Sequence, residues 1–222
     1  MDASATTRRA LRPVHALLVR GMGRTPLSMA LLARRLDAAG MRTRLFGYVA
    51  MVEGFAACRG RLQRLVDQEA ADAPVILIGH SLGTVLIRAA CPQLRRPPLG
   101  CFLLAPPSRA SRAARAVAAR RLFRLLTGEM GQSLADADFM NALPLPTAPT
   151  MVYAGTGGPR GRWSPFAGES NDGVLAVTET QLPGALTRLV PAIHTCIMNS
   201  RVVAEDIVRT TGELAARSRH DL

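Results

Sequence analysis

Apolar positions along the chain alternate between two patterns. Short runs of apolar, often β-branched residues are separated by stretches in which apolar residues return every three or four positions. The short runs are "VHALLVRG" (14–21), "TRLFGYV" (43–49), "PVILIG" (74–79), "LGCFLLAPP" (99–107), "TMVYAGTGG" (150–158) and "ALTRLVPA" (185–192). The third is almost wholly apolar, as a strand buried on both faces should be. Helical periodicity covers 26–40, with Pro26 in its first turn and Gly40 as its stop. It covers 55–70, where Phe55, Cys58, Leu62, Leu65 and Val66 share one stripe. It returns at 82–90, stopped by Pro92, and at 200–217. Strand and helix in alternation predict an α/β fold, a mainly parallel sheet with helices on both faces.

Two segments break this rhythm. In 108–147, Arg109, Arg112, Arg115, Arg120, Arg121 and Arg124 are spread around most of a helix with no clean apolar stripe. That pattern predicts a lid insertion, or a helix over the sheet's edge, rather than a core element. Residues 156–171, rich in glycine and proline, predict a long loop of functional use.

Composition narrows the picture. With 222 residues, 48% of them hydrophobic, one domain spanning 1–222 can bury a sizeable core. No apolar run reaches the roughly 18–20 residues of a membrane span. No cleavage site follows an apolar run near the N-terminus, so the cytoplasm is the expected compartment. Cys58, Cys91, Cys101 and Cys196 are scattered among apolar residues with no CxxC pair. They are expected to be buried free thiols, and no metal site is expected. The net charge of +12 would ordinarily point to a polyanion, but every basic residue is arginine and aromatics make up only 4%. A bias across the whole composition explains this better than a nucleic-acid face, so no specific nucleic-acid partner is expected.

The candidate chemistry begins at "VILIGHSLGTVLIRAA" (75–90), which sets Ser81 between Gly79 and Gly83 at a strand-to-helix turn. Gly-x-Ser-x-Gly in that context is the nucleophile elbow. The turn is tight enough to strain the serine, and side chains at the two glycines would clash. The pentapeptide alone is weak, since 19 glycines in a chain of this length make about 0.07 matches expected by chance. The convincing strand before it and helix after it decide against a simple capping serine.

A serine nucleophile needs a histidine base and a carboxylate to orient it, in the order Ser, Asp/Glu, His for this architecture. Only His194 and His220 follow Ser81, and His220 is two residues from the end. His194 is therefore the expected base. For the acid, Asp172 in "GESNDGVLAV" follows a strand and sits in an Asn-Asp-Gly turn. Glu169 is its near rival and Glu179 a weaker one, while Glu129, Asp136 and Asp138 lie in helical surroundings. An oxyanion hole is expected from the backbone N–H groups of Leu82 and Met22, the latter in the turn "RGMGRT" after the first strand.

Together "VRGMGRTPLSM", "GHSLG", "NDGVLAV" and "HTCIMNS" resemble the α/β-hydrolase family, in particular small lipase-like members similar to GPI inositol-deacylase-type and bacterial lipase-type hydrolases. The resemblance implies hydrolysis of a small-molecule or lipid ester through an acyl-enzyme intermediate, with no cofactor. It departs at Arg20, where the oxyanion turn of such proteins usually begins His-Gly, and the guanidinium there is expected to alter substrate preference. The same constellation serves acyltransferases and amidases. A non-catalytic relative, or one that associates weakly with anionic membranes through 109–124, is the reading from another class.

Overall fold

The computed structural model of the chain describes residues 13–23, 25–49, 53–109, 131–161, 164, 166 and 168–220. Six parallel strands form one sheet: β1 (His15–Val19), β2 (Arg42–Phe46), β3 (Val75–His80), β4 (Gly100–Leu104), β5 (Thr150–Gly155) and β6 (Leu186–Val190), in the order β2-β1-β3-β4-β5-β6. The helices are α1 (Ala30–Ala38), α2 (Phe55–Asp72), α3 (Leu82–Ala90), the short α4 (Ala137–Ala142) and α5 (Arg201–His220).

The period of two along each inner strand divides the core into two layers. Leu17, Val19, Leu77, Leu103 and Val152 face α2 and α3. Ala16, Leu18, Ile76, Ile78, Phe102 and Tyr153 face α1 and α5. β1, β3 and β4 are buried throughout, which explains their unbroken apolar reading. Edge strand β2 instead alternates exposed arginines with half-buried residues, a composition that discourages pairing by a further strand.

The predicted helix 26–40 begins as a 3-10 turn, Pro26–Met29, before α1. It ends in a Schellman arrangement: Gly40 has φ 86°, its N–H donates to Asp37, and Met41 donates to Leu36. Most of the arginine-rich segment, 110–130, lies outside the described residues. Just beyond it, Leu134, Met140, Leu143 and Ala148 pack into the layer beside α2 and α3. This stretch, grouped by sequence with the 108–147 insertion, contributes to the core because Asp136 caps α4 and turns Met140 inward. The cysteine expectation needs one correction. Cys58, Cys91 and Cys101 are buried, but Cys196 is exposed, because it follows His194 in a surface turn. No described helix is long and apolar enough to cross a membrane.

The strand order reverses direction at one place. From β1 the chain crosses to β2 on one side, then returns to add β3 on the other. The loops after β1 and β3 diverge there, and a crevice opens at the carboxyl ends of the strands. Val19 pairs with Gly79, so the turn "RGMG" and the turn "GHSLG" are neighbours across that crevice.

Candidate active site

Ser81 stands between β3 and α3 with φ 49° and ψ −120°, a conformation costly for any residue with a Cβ. Its N–H donates to the Leu104 carbonyl at 3.0 Å, and its carbonyl accepts from the Thr84 N–H at 2.9 Å and the Thr84 hydroxyl at 2.7 Å. These bonds clamp the turn and leave the side chain out of the sheet's hydrogen bonding. The flanking glycines are required by contact. A Cβ at Gly83 would lie 2.2 Å from the Val19 carbonyl oxygen and 2.6 Å from that of Arg20. One at Gly79 would lie 2.9 Å from Thr84 backbone atoms.

Across the crevice, the β5 and β6 loops deliver a carboxylate and an imidazole. Asp172 is buried, and its Oδ1 accepts from the N–H groups of Val174 (2.9 Å) and Leu175 (2.7 Å). Its Oδ2 accepts from Nδ1 of His194 at 2.7 Å. The backbones are also tied, because the His194 N–H donates to the Asp172 carbonyl at 2.8 Å. Asn171 secures the turn from behind: its Oδ1 accepts from the Gly173 N–H, and its Nδ2 donates to the Pro159 and Glu169 carbonyls. Gly155, at the end of β5, has no room for a side chain, since a Cβ would sit 2.7 Å from Cβ of Asp172. A carboxylate that accepts from Nδ1 fixes the proton there and leaves Nε2 of His194 as the basic nitrogen.

The link between the two halves is His80. It is buried beside Ser81, its ring centroid lies 5.0 Å from that of His194, and its Nε2 donates to the His194 carbonyl at 2.9 Å. The Ser81 hydroxyl itself forms no hydrogen bond to the imidazole; the bonds of Ser81 among the described residues are those of its backbone. Sequence reasoning passed over His80 because chain order excludes it as a base, and nothing local announces a bond to a residue 114 positions away. It also passed over Ala105, at the end of β4, whose φ of 47° is the second positive value of a non-glycine residue among those described. Alanine carries no sequence signal for such strain.

The sequence profile of the Alpha/beta hydrolase family matches residues 3–219, nearly the whole chain. The chain belongs to that family. A sequence search of curated proteins finds no match. Among solved structures, this α/β-hydrolase is similar to the Bacillus licheniformis lipase BlEst2 (18% identity over 91% of this chain and 93% of that one, TM-score 0.66). It is similar to a structure of the metagenome-derived lipolytic enzymes LipS and LipT (12% identity, 90% and 94% coverage, TM-score 0.67). The metagenomic carboxyl esterase MGS0156 matches at 15% identity, with 94% and 76% coverage and a TM-score of 0.66. At these identities the likeness concerns the fold.

The other carboxylates of this hydrolase have different partners. Glu169 accepts from the Thr178 hydroxyl, Glu179 is buried and accepts from the Ala176 N–H at 3.0 Å, and Asp136 caps α4 through the Asp138 and Phe139 N–H groups. Asp138 lies in the exposed first turn of α4, and Glu129 is outside the described residues. Among the described residues no cluster of three or more His, Cys, Asp and Glu side chains has the grouping to hold a metal ion.

Arg20, at the family's usual histidine position, is buried and turned back on its own loop. One guanidinium nitrogen donates to the Gly21 carbonyl at 2.9 Å, another to the Tyr48 carbonyl, and the group lies 4.3 Å over the Tyr48 ring. The Tyr48 hydroxyl donates in return to the Arg20 carbonyl at 2.9 Å. Gly21 C=O and Met22 N–H belong to one planar peptide and point in opposite directions. Anchoring the carbonyl therefore sets the direction of the N–H. Among the described residues, neither Met22 nor Leu82 donates its backbone N–H to another backbone group.

Proposed function

We propose that this α/β-hydrolase is a serine hydrolase of carboxylic esters. The observation that carries the reading is the 2.7 Å bond between His194 Nδ1 and the buried Asp172 carboxylate, at the same sheet edge where Ser81 is held at positive φ. Packing alone requires neither a strained serine nor an imidazole oriented by a carboxylate at the carboxyl ends of the strands. Nucleophilic acyl transfer requires both.

In this mechanism Ser81 Oγ attacks the ester carbonyl while His194 Nε2 removes its proton. Asp172 keeps the imidazole in the useful tautomer and stabilises its cation. The N–H groups of Met22 and Leu82 receive the oxyanion of the tetrahedral intermediate, a contribution that is typically 10²–10³-fold per donor. Collapse breaks the ester C–O bond. The alcohol leaves with the proton from His194, and the acyl group stays on Ser81. Water, deprotonated by the same imidazole, then releases the carboxylic acid and restores the hydroxyl. The mechanism needs a hydrogen bond from the Ser81 hydroxyl to His194 Nε2 to form when substrate binds, since catalytic hydrogen bonds often close only in the complex. Esters are favoured over amides because the similar solved structures are named as a lipase, lipolytic enzymes and a carboxyl esterase.

The test is fluorophosphonate labelling of the wild-type protein and Ser81→Ala, run beside hydrolysis of p-nitrophenyl esters of graded chain length. Labelling of the wild type alone, with hydrolysis lost in the variant, is the expected result. Equal labelling of the two proteins would remove Ser81 as the nucleophile.

A further inference from the structure

Away from the candidate active site, a charged side chain is buried without a counterion among the described residues. Arg88, near the end of α3, is only 3% exposed. Its Nε donates to the Pro144 carbonyl at 3.1 Å and its Nη2 to the Leu143 carbonyl at 2.8 Å. Nη1 is buried with no hydrogen-bond partner, and no carboxylate among the described residues forms an ion pair with Arg88. Burial pulls its pKa below the ordinary arginine value, the direction expected of a cation short of an anion. Buried guanidinium groups are normally paired, because desolvating an isolated charge is costly.

Arg88 forms part of the wall of a cleft of about 910 Å³. That volume falls in the range of small-molecule sites. Neither Ser81 nor His194 lines it. A second cation, Arg109, stands on its wall, held by a 3.0 Å bond to the Thr178 carbonyl. Much of the remaining surface is apolar, including Met140, Leu143, Leu145 and Leu182. Two cations and an aliphatic wall in one cleft match a ligand with an anionic head and an alkyl tail.

We propose that this cleft binds a medium-chain fatty carboxylate, its head group on Arg88 and Arg109 and its tail along Met140, Leu143 and Leu182. The site is separate from Ser81, and binding does not depend on whether Ser81 is a nucleophile.

Calorimetric titration of Ser81→Ala protein with decanoate, decanol and inorganic phosphate tests the proposal. Decanoate is expected to bind at submillimolar concentration, and decanol and phosphate at least about tenfold more weakly, since each lacks one half of the recognition. Arg88→Met should weaken decanoate by about tenfold or more. That variant also loses its ties to Leu143 and Pro144. Ala185→Trp therefore serves as a second probe, narrowing the cleft while leaving the hydrogen bonds of Arg88 intact. It too should weaken decanoate binding by about tenfold or more. Unchanged affinity in Ala185→Trp, or equal affinity for decanol and decanoate, would overturn the proposal. Phosphate binding as tight as decanoate would overturn its lipid part and leave a plain anion site.

Discussion

The carboxylate of Asp172 divides its two oxygens between two tasks. One is held by the amides of Val174 and Leu175, the other by the imidazole of His194. An amide in its place keeps the size, but its nitrogen cannot accept from Nδ1. Asp172→Asn is therefore expected to stay folded and to lose about 10³–10⁴-fold in kcat, the scale seen when such a tautomer lock is removed. Thermal melting and ester kinetics on the same preparation check both halves, and full activity would shift the role of the acid to Glu169. In the proposed mechanism Arg20 acts one step further from the reacting atoms, as a positioning residue for the Gly21–Met22 peptide. Lysine keeps the charge but lacks the planar fork that reaches two carbonyls. Arg20→Lys should lower kcat about tenfold, less than deletion of a donor costs, and leave KM for a short ester within about twofold. A change confined to KM would assign Arg20 to substrate binding instead, the role its position first suggests.

Among the elements, the contact of α3 with β1 leaves the least freedom. The three atoms nearest a Cβ at Gly83 are backbone atoms of Val19 and Arg20, so a methyl group there is relieved by moving the end of β1 and the turn that follows it. Gly83→Ala should cost at least the ~1–3 kcal/mol of ordinary overpacking. For a chain of this size that lowers Tm by roughly 2–12 °C. Activity should fall further than stability explains, which ester kinetics well below the new Tm will reveal. Elements of this kind were legible in the sequence, because Gly-His-Ser-Leu-Gly carries its own steric requirement and the inner strands carry their own burial pattern. The pairing of Asp172 with His194 was legible for another reason, the chain order of the candidate residues and the Asn-Asp-Gly turn after a strand. Other features depend on contacts that no local pattern encodes. Arg20 turns back to Tyr48, His80 reaches His194, and Arg88 is buried under Leu143, all across long separations. Cys196 reads as apolar in its run, yet the surface turn that places His194 leaves it exposed.

For the whole molecule, the end of the sheet opposite the candidate active site is tied by Glu69 of α2. It accepts from Nδ1 of His15 at 2.6 Å and from Arg44, so a single carboxylate connects β1, β2 and α2. Burial of Glu69 opposes its ionisation, but the hydrogen bonds from Arg44 and His15 and their charges together outweigh that and hold its pKa below the usual 4.5. The sign of the linkage follows. A folded-state pKa below the unfolded one stabilises the fold above the unfolded value, and the contribution is lost as pH falls through the folded value. Glu69→Gln should therefore melt at a lower temperature than wild type at pH 7, and the gap should close as pH falls below about 4. The net charge of +12 adds a general repulsion that grows as carboxylates protonate; the variant carries one more positive charge at pH 7, a difference that disappears, like the ion pair, as Glu69 protonates. Melting curves of the pair from pH 7 to pH 3 measure the difference directly. A gap that persists undiminished at pH 3 would show that Glu69 contributes through packing rather than through its charge.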